Sequence, residues 1–289
     1  MRKTDFLYNF YFFNTICFFT RIVASTMAWT RLLWEYYGGI TSDDLYFFVF
    51  LPWISVVGTY YVLCILMLPL DFWPPLRDAV RRRKCQPKFQ FKWDDIRLIL
   101  LQCTRQFLVL YPALLLTGLP LLKAHISTSD ETLPSVIKFI GQVVVHTVCA
   151  EVIFYYAHRA LHHESVYQYI HAEHHKYLAP CCVEALYFHW LEAISLAPVV
   201  TFGPLLVGSH IYAMCLWLCL AVLVVVLHHS GYDVPCDYLP GTGSLSHFHD
   251  YHHKTFTKNY GLLGWLDELH GTNKGWKDYL KKWHEDRAR

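Results

Sequence analysis

The chain has 289 residues, of which 54% are hydrophobic and 17% aromatic, and its 25 Lys and Arg nearly balance its 23 Asp and Glu. Such an apolar composition lies above the usual range of soluble domains and predicts an integral membrane protein. The net charge of +2 produces no general field that would attract nucleic acid, so we expect no nucleic-acid partner.

The N-terminal segment, 1–44, is predicted to be an anchor or a signal-like segment. Arg2 and Lys3 precede an aromatic-rich run, and the small residues at 23–25 are similar to a cleavage site. Bulky aromatic side chains, together with Asn9, are unusual in the apolar part of a signal peptide. This favours an anchor that is not cleaved, and cleavage stays the open alternative.

Apolar stretches of spanning length follow in chain order. They are 45–70, 96–122, 136–157, 191–208 and 211–227. The last two are typical of a helical hairpin, because Gly208-Ser209-His210 between them is a turn sequence. We therefore predict an all-α fold, a polytopic integral membrane helical bundle in one compact unit.

The loop after the first span is strongly basic, and an excess of Lys and Arg in a short loop marks the cytoplasmic side of a membrane protein. Its basic residues are Arg77, Arg81, Arg82, Arg83, Lys84, Lys88 and Lys92. From this loop the chain would leave the cytosol at 96–122, return at 136–157 and cross twice between 191 and 227. The segments after 157 and after 227 are then expected to face the cytosol.

Half of the 18 histidines lie in three short boxes within these cytosolic segments. The boxes are His158-Arg-Ala-Leu-His162-His163, His171-Ala-Glu-His174-His175 and His249-Asp-Tyr-His252-His253. Residues three or four apart share one face of a helix, so each box can present a coordinating edge. Neutral imidazole is a common ligand of transition metals. A hydrogen-bonded core or surface histidine is the usual alternative for one such residue, but it explains three boxes poorly.

Adjacent histidines within the second and third boxes diverge by about 100°, which suits two neighbouring metals better than one. We therefore predict a two-metal cap on the cytoplasmic side of the bundle. The predicted metal ligands are His158, His162, His171, His174, His175, His229, His249, His252 and His253. His229 is preferred to the competing His228 at the end of the hairpin. His163 lies beyond the face shared by the first box and is expected to support a ligand, while the role of His189 stays open.

Several acidic residues near the boxes are candidates to orient a ligand. Glu151 lies two turns before His158 in an apolar span, and either a hydrogen bond to a ligand imidazole or a protonated carboxyl held by a neighbouring helix is compatible with its position. Asp250 and Asp267 are expected to accept the second N–H of ligating histidines.

The number of predicted histidine ligands indicates which metals and which reactions the site can support. A single zinc needs three or four protein ligands, whereas eight or more histidines suit two redox metals. Iron with nitrogen ligands and an open position can use dioxygen to oxidise an unactivated C–H bond of a lipid. The sequence shows no haem, flavin or G-x-G-x-x-G motif, so we expect electrons from a separate protein. We predict no catalytic side chain beyond the metal ligands.

The order of the boxes, with an apolar hairpin before the third, resembles the fatty acid hydroxylase and sterol desaturase superfamily of membrane di-iron enzymes. The strings from Glu184 to His189, from His229 to Asp233 and from Phe256 to Gly261 resemble 4-methylsterol monooxygenases. Phe-His-Asp-Tyr-His-His at 248–253 is similar especially to the subgroup of fatty acid hydroxylase domain-containing protein 2. The resemblance covers roughly 146–272.

This resemblance implies an enzyme of the endoplasmic reticulum membrane with two iron ions and an active site facing the cytosol. Electrons would come from NAD(P)H through cytochrome b5 and its reductase. The leading hypothesis is an oxygen-dependent oxidation of a 4-methyl group of a sterol intermediate in sterol biosynthesis. Hydroxylation of a fatty acyl, sphingoid or alkyl-glycerol lipid is the alternative, and a non-catalytic membrane regulator that retains the fold is the second.

The predicted domain organisation has four parts. After the N-terminal segment 1–44, transmembrane helices with the basic cytoplasmic loop occupy 45–135. A fatty acid hydroxylase-like catalytic domain is expected at 136–275, and a charged C-terminal tail at 276–289.

Overall fold

A computed structural model describes residues 38–233, 238–239 and 243–288 of the chain. Most of the predicted N-terminal segment, 1–37, lies outside the described residues. The chain divides into two units between Leu45 and Tyr46. In the first, helix α1 (Ser42–Leu45) is preceded by Thr41, whose N–H donates to Asp44 Oδ2 at 3.0 Å, while the Asp44 N–H donates to Thr41 Oγ1 at 3.1 Å. This reciprocal pair is a capping box.

The described part of the second unit is almost entirely helical. Its α-helices are α2 (Leu51–Phe72), α3 (Pro74–Val80), α4 (Trp93–Arg105), α5 (Tyr111–His125), α6 (Val136–Leu161), α7 (Glu164–Tyr167), α8 (Trp190–Leu206), α9 (Ile211–His228), α10 (Leu245–Thr255), α11 (Trp265–His270) and α12 (Trp276–Ala288). Two π-helical segments lie at Tyr46–Phe50 and Gln106–Leu110. Turns of 3₁₀ helix lie at Arg81–Arg83, Asp130–Thr132, His174–Lys176 and Cys182–Leu186. Strands β1 (Tyr238–Leu239) and β2 (Gly243–Ser244) form a small antiparallel pair. The all-α prediction is confirmed.

Four helical stretches of the described residues are long and apolar enough to cross a membrane. They are Ser42–Phe72, Trp93–His125, Val136–Leu161 and Ile211–His228. Helix α8 is also apolar, but its 17 residues extend about 26 Å, a little less than the roughly 30 Å of a hydrocarbon core. The predicted hairpin therefore exists, with a first arm slightly shorter than a typical span. A polytopic membrane bundle is confirmed.

Close packing of α6 against α8 forms one side of the bundle. Gly203 makes this approach possible, because a Cβ atom there would lie 2.7 Å from the Cα atom of His146. The His146 ring lies inside the bundle, with Nε2 3.2 Å from Ser209 Oγ and its plane edge-on to Trp217. His146 is thus a packing and hydrogen-bonding residue of the bundle. On the other side, α9 packs against α2.

Different loops meet at the two ends of the bundle. At one end the basic loop meets the segment after α9, where the Cys85 N–H donates to the Gly231 carbonyl at 2.9 Å. At the other end the Ser127 N–H donates to the Ser209 carbonyl at 3.1 Å, which joins the loop after α5 to the turn between α8 and α9. The basic loop and all three histidine boxes therefore lie at the same end.

Candidate metal centre

Each histidine box is positioned by a different local structure. His158 lies in the last turn of α6, and His162 is the residue that caps the end of this helix. The second box runs through a turn into the 3₁₀ segment His174–Lys176, and the third box occupies α10. His229 caps the end of α9, so the apolar hairpin delivers one more imidazole to the same place.

The nine histidines predicted as ligands gather in two groups. The five-histidine group consists of His158, His162, His171, His175 and His252, and the four-histidine group consists of His174, His229, His249 and His253. Within each group one ring nitrogen per residue lies within 4.8 Å of all the others. Eight of these side chains are buried and His162 is half-buried.

The adjacent histidines of the second and third boxes separate between the groups. His174 belongs to the four-histidine group and His175 to the five-histidine group, and His253 and His252 divide in the same way. This is the arrangement that the angular divergence of neighbouring residues on a helical turn predicts. Each of the two boxes therefore contributes to both groups.

The Nε2 atoms face one another at short distances. In the five-histidine group the His158–His171, His171–His175, His175–His252 and His252–His162 distances are all 3.1 Å. In the four-histidine group the His174–His229, His229–His249 and His249–His253 distances are 3.2, 3.0 and 3.1 Å. Two nitrogen ligands at right angles around a metal, with bonds of about 2.1 Å, would lie about 3.0 Å apart. The donor set therefore fits one metal ion per group.

Most of the opposite ring nitrogens, Nδ1, are held by backbone carbonyls. Nδ1 lies 2.7 Å from the Tyr260 carbonyl in His158, 2.7 Å from Lys258 in His252 and 2.8 Å from Val225 in His229. His174 and His253 make longer contacts, of 3.2 Å to Tyr187 and 3.3 Å to Tyr177. Because a carbonyl can only accept, each of these imidazoles carries its proton on Nδ1 and presents the lone pair of Nε2.

The contact between His174 and His229 is the clearest sign of a cation site. Both rings donate Nδ1–H to a carbonyl, so two Nε2 lone pairs face each other at 3.2 Å. Two acceptors at this distance repel each other unless a cation lies between them. A transition metal ion that prefers imidazole meets this requirement.

Burial keeps these imidazoles in the neutral form that binds metal. It lowers the pKa of His229 from 6.5 to about 4, and it lowers the pKa of His162 to about 2 with a further contribution from His158. Burial, followed by the neighbouring histidines, lowers the pKa of His249 and His253 well below 6.5. Near pH 7 all four are therefore uncharged.

Two buried glutamates approach the groups, one each. Glu192 Oε1 lies 2.8 Å from His171 Nδ1 in the five-histidine group. Glu184 Oε1 lies 4.0 Å from His253 Nδ1 in the four-histidine group, and both Glu184 oxygens lack a hydrogen-bond partner among the described residues. A carboxylate on the far nitrogen of a ligating histidine fixes its tautomer and strengthens it as a ligand. Sequence reasoning missed both residues, although an ionisable residue at 192 in an apolar stretch is a usable signal.

The acidic residues that were expected to orient ligands bind other groups instead, so the prediction that they contact ligand imidazoles was wrong. Glu151 Oε2 accepts the N–H groups of Leu262 and Leu263, each at 2.8 Å, instead of contacting an imidazole. Its Oε1 lies 3.5 Å from the Leu266 N–H of α11, so the predicted alternative of a carboxyl held by a neighbouring helix agrees with the structure. Asp267 accepts the N–H groups of Tyr260 and Gly261 at 2.8 and 2.7 Å. Both carboxylates hold the loop whose Tyr260 carbonyl accepts from His158, so they act on the centre through the backbone.

Asp250 does not contact a ligand either. Its Oδ1 accepts from Gln86 Nε2 at 3.0 Å, which ties α10 to the basic loop. Burial raises the pKa of Asp250 to about 7.

The three remaining histidines near the boxes, His163, His189 and His228, lie outside both groups. His163 was predicted to support a ligand, and this prediction was wrong, because its side chain is exposed and caps α7. His189 is half-buried and caps α8 by accepting the Leu191 N–H at 3.3 Å. The buried ring of His228 stacks on His249 with centroids 5.6 Å apart. The structure thus brings His229 into the four-histidine group and leaves His228 beside it.

The fold and the histidine groups together define a multi-pass membrane protein with a candidate two-metal centre. Residues 143–272, which include both groups, match the model of the fatty acid hydroxylase family. The chain belongs to this family, and the predicted superfamily is confirmed.

Curated relatives agree on the family but carry names of different activities. Human fatty acid hydroxylase domain-containing protein 2 is 41% identical over 159 residues, which cover 55% of this chain and 46% of that protein. A Dictyostelium discoideum protein, provisionally named a methylsterol monooxygenase, is 34% identical over 67% of this chain and 73% of its own length. Very-long-chain aldehyde decarbonylase GL1-11 of Oryza sativa subsp. japonica is 37% identical over 58% of this chain and 62% of its own length.

The chain spans about half the length of the fatty acid hydroxylase domain-containing relatives that it matches. No solved structure matches it.

Proposed function

We propose that this protein is a membrane-bound di-iron monooxygenase that oxidises a 4-methyl group of a sterol intermediate in sterol biosynthesis. The observation that carries the proposal is the convergence of nine histidines in two groups at one end of an apolar helical bundle. The relative named as a methylsterol monooxygenase supports the choice of substrate.

In this proposal each histidine group holds one iron ion through the Nε2 atoms of its members. Iron bound in this way supplies the redox chemistry with dioxygen that an unactivated C–H bond requires. The carbonyls of Tyr260, Lys258 and Val225 keep three of the ligands in the tautomer that binds metal. Burial of the groups keeps water away from the reacting positions.

Hydroxylation of a methyl group inserts one atom of dioxygen into a C–H bond and releases the other as water, which consumes two electrons and two protons. We propose that NAD(P)H supplies the electrons through cytochrome b5 and its reductase at the cytosolic face of the endoplasmic reticulum. Residues 136–275 would form the catalytic domain, and the family match falls within it.

The test is the conversion of 4-methylsterols by microsomes that contain this protein and receive NADH, cytochrome b5 and its reductase. We expect turnover with the wild-type protein and none with His174→Ala or His252→Ala, which remove one ligand from each group. His125→Ala and His284→Ala are matched controls, because both side chains are exposed and outside the groups. Full complementation of a knockout by both ligand variants would contradict a catalytic role.

A second candidate is hydroxylation of a fatty acyl, sphingoid or alkyl-glycerol lipid by the same centre. The family match and the relative named for a fatty acid hydroxylase domain favour it. Lipid profiling of the same microsomes separates the two. Unchanged 4-methylsterols together with a newly hydroxylated long-chain lipid would replace the first proposal with the second.

A further inference from the structure

A cleft of about 250 Å³ opens at the end of α2, outside both histidine groups. Phe72, Phe89 and Phe91 line its apolar part, and Arg77, Arg81 and Lys84 line its basic part. Neither the oxygenase reaction nor the metal groups give these basic residues a role. Their position and charge indicate what the cleft can bind.

Two tryptophans show that the cleft lies at the level of lipid headgroups. Trp73 follows the last residue of α2 and is 57% exposed, and Trp93 begins α4 and is 58% exposed. Exposed tryptophans at the ends of apolar helices mark the boundary between hydrocarbon and headgroups. The Trp93 ring stacks on Phe72 of the cleft with centroids 4.1 Å apart, so the lining and the boundary coincide.

The charged residues of the lining differ in how firmly they are paired. Lys84 pairs with Asp71, and both side chains are largely buried. Arg77 pairs with Asp78 at 3.2 Å, but these side chains are 40% and 63% exposed, so the pair is weak.

Arg81 is exposed and has no ion-pair partner among the described residues. Together with Arg77 it leaves two guanidinium groups able to turn towards an anion. Guanidinium recognises phosphate through paired hydrogen bonds.

Tyr232, which lines the cleft, is held in place by hydrogen bonds. Its hydroxyl donates to the Leu70 carbonyl at 2.8 Å and lies 2.9 Å from Asp71 Oδ1. The backbone of Tyr232 is also bridged to Lys84. The lining thus combines a fixed aromatic side chain with two arginines that are free to adjust to an anion.

We propose that this cleft binds the headgroup of an anionic phospholipid, with Arg77 and Arg81 contacting its phosphate and the further acidic group that gives the headgroup its net negative charge. A lipid fits better than a soluble phosphate compound, because the exposed apolar side chains of Ile65 and Leu66 on α2 offer a surface for its acyl chains. Basic sites at the ends of membrane helices attract anionic lipids by roughly 1 kcal/mol per cation, which is about fivefold in affinity.

The test is the exchange of phosphatidylserine for phosphatidylcholine around the purified full-length protein in nanodiscs, followed by native mass spectrometry of the lipids that remain bound. The cleft variant is Arg77→Gln with Arg81→Gln. Its matched control is Arg82→Gln with Lys88→Gln, which removes the same charge from exposed residues outside the lining. Thermal unfolding in phosphatidylcholine alone checks that each variant is folded.

We expect the cleft variant to lose its preference for phosphatidylserine by more than tenfold and the control to keep most of it. An equal loss in both variants, or no loss in either, would overturn the proposal. Glycerophosphoserine, added as a soluble competitor, separates the two sources of phosphate. If it displaces the lipid at similar concentrations, the cleft binds a soluble phosphate compound and the lipid assignment is wrong.

Discussion

The histidines of the candidate metal centre donate hydrogen bonds from Nδ1 to two kinds of acceptor. Backbone carbonyls hold His158, His252 and His229, and a carboxylate holds His171. A carbonyl fixes the tautomer without adding charge, whereas an ionised carboxylate also offsets the charge of a metal in a dry site. The contact between Glu192 and His171 is therefore expected to matter for metal affinity more than any one carbonyl.

The assignment of histidines to groups predicts the number of bound metals in paired variants. His174→Ala with His253→Ala removes two ligands from one group, so we expect this protein to keep about one metal ion of two after dialysis against a chelator. His174→Ala with His175→Ala removes one ligand from each group, so both ions are expected to bind more weakly. Elemental analysis measures the difference.

The double variant His125→Ala with His284→Ala should retain two ions and controls for the number of histidines removed. The grouping is wrong if the two ligand pairs lose metal in the same way.

Replacing Glu192 by Gln tests the carboxylate. The amide can still accept from His171 Nδ1 but carries no charge, so metal affinity is expected to fall by about ten- to a hundredfold. Competition with a chromophoric chelator measures the affinity directly. Glu173→Gln is the matched control, because its carboxylate lies nearby but contacts Gln102 at 2.6 Å instead of a ligand. Unchanged affinity in Glu192→Gln would leave the carboxylate without a role in binding.

The predicted ligand histidines could be found from the sequence, whereas the residues that hold them in place could not. The spacing within a helical turn already decides that His174 and His175 diverge, because it depends on local geometry alone. Glu151 and Asp267 were misassigned, since their partners depend on the path of the loop 260–263, which no periodicity describes. Glu192 was missed because it lies more than a dozen residues from the imidazole that it contacts.

Helices α6 and α8 of the bundle meet in a close contact at Gly203. Helix α6 carries His158 towards the centre, and α8 packs along it through Gly203. The boundaries of the longer helices follow the apolar runs of the sequence within a few residues. The contact between Gly203 and His146 could not be predicted, because it requires the relative position of two helices.

Gly203→Ala is expected to destabilise the protein. Its Cβ atom would lie 2.7 Å from the His146 Cα, and overpacking of a rigid contact typically costs about 1–3 kcal/mol. Gly141→Ala on α6 is the control, because nothing lies within 4 Å of its Cβ position and alanine favours a helix by up to about 1 kcal/mol. Thermal unfolding in a fixed detergent compares the two variants. Equal stabilities would show that the helices can separate at no cost.

The two histidine groups and the basic loop lie at the same end of the bundle. Gln86 of the basic loop contacts Asp250, which neighbours the predicted ligand His249 along α10. The opposite end holds Ser127 and the turn between α8 and α9. The order of apolar stretches predicted this grouping, because a helical hairpin, α8 and α9, lies between the second box and the third.

This polarity predicts the orientation in the membrane. Loops rich in Lys and Arg stay in the cytosol, so residues 77–92 and both histidine groups are expected on the cytosolic side, and the loop around Ser127 on the lumenal side. Glycosylation acceptor sites inserted singly at each place, in cells, measure the orientation. We expect glycan addition near Ser127 and none next to Lys88 or Thr257, both of which are exposed and lie outside the helices. A glycan at Thr257 would place the metal centre in the lumen, where cytochrome b5 and its reductase could not reach it. The proposed electron supply would then be wrong even if the two-metal centre were right.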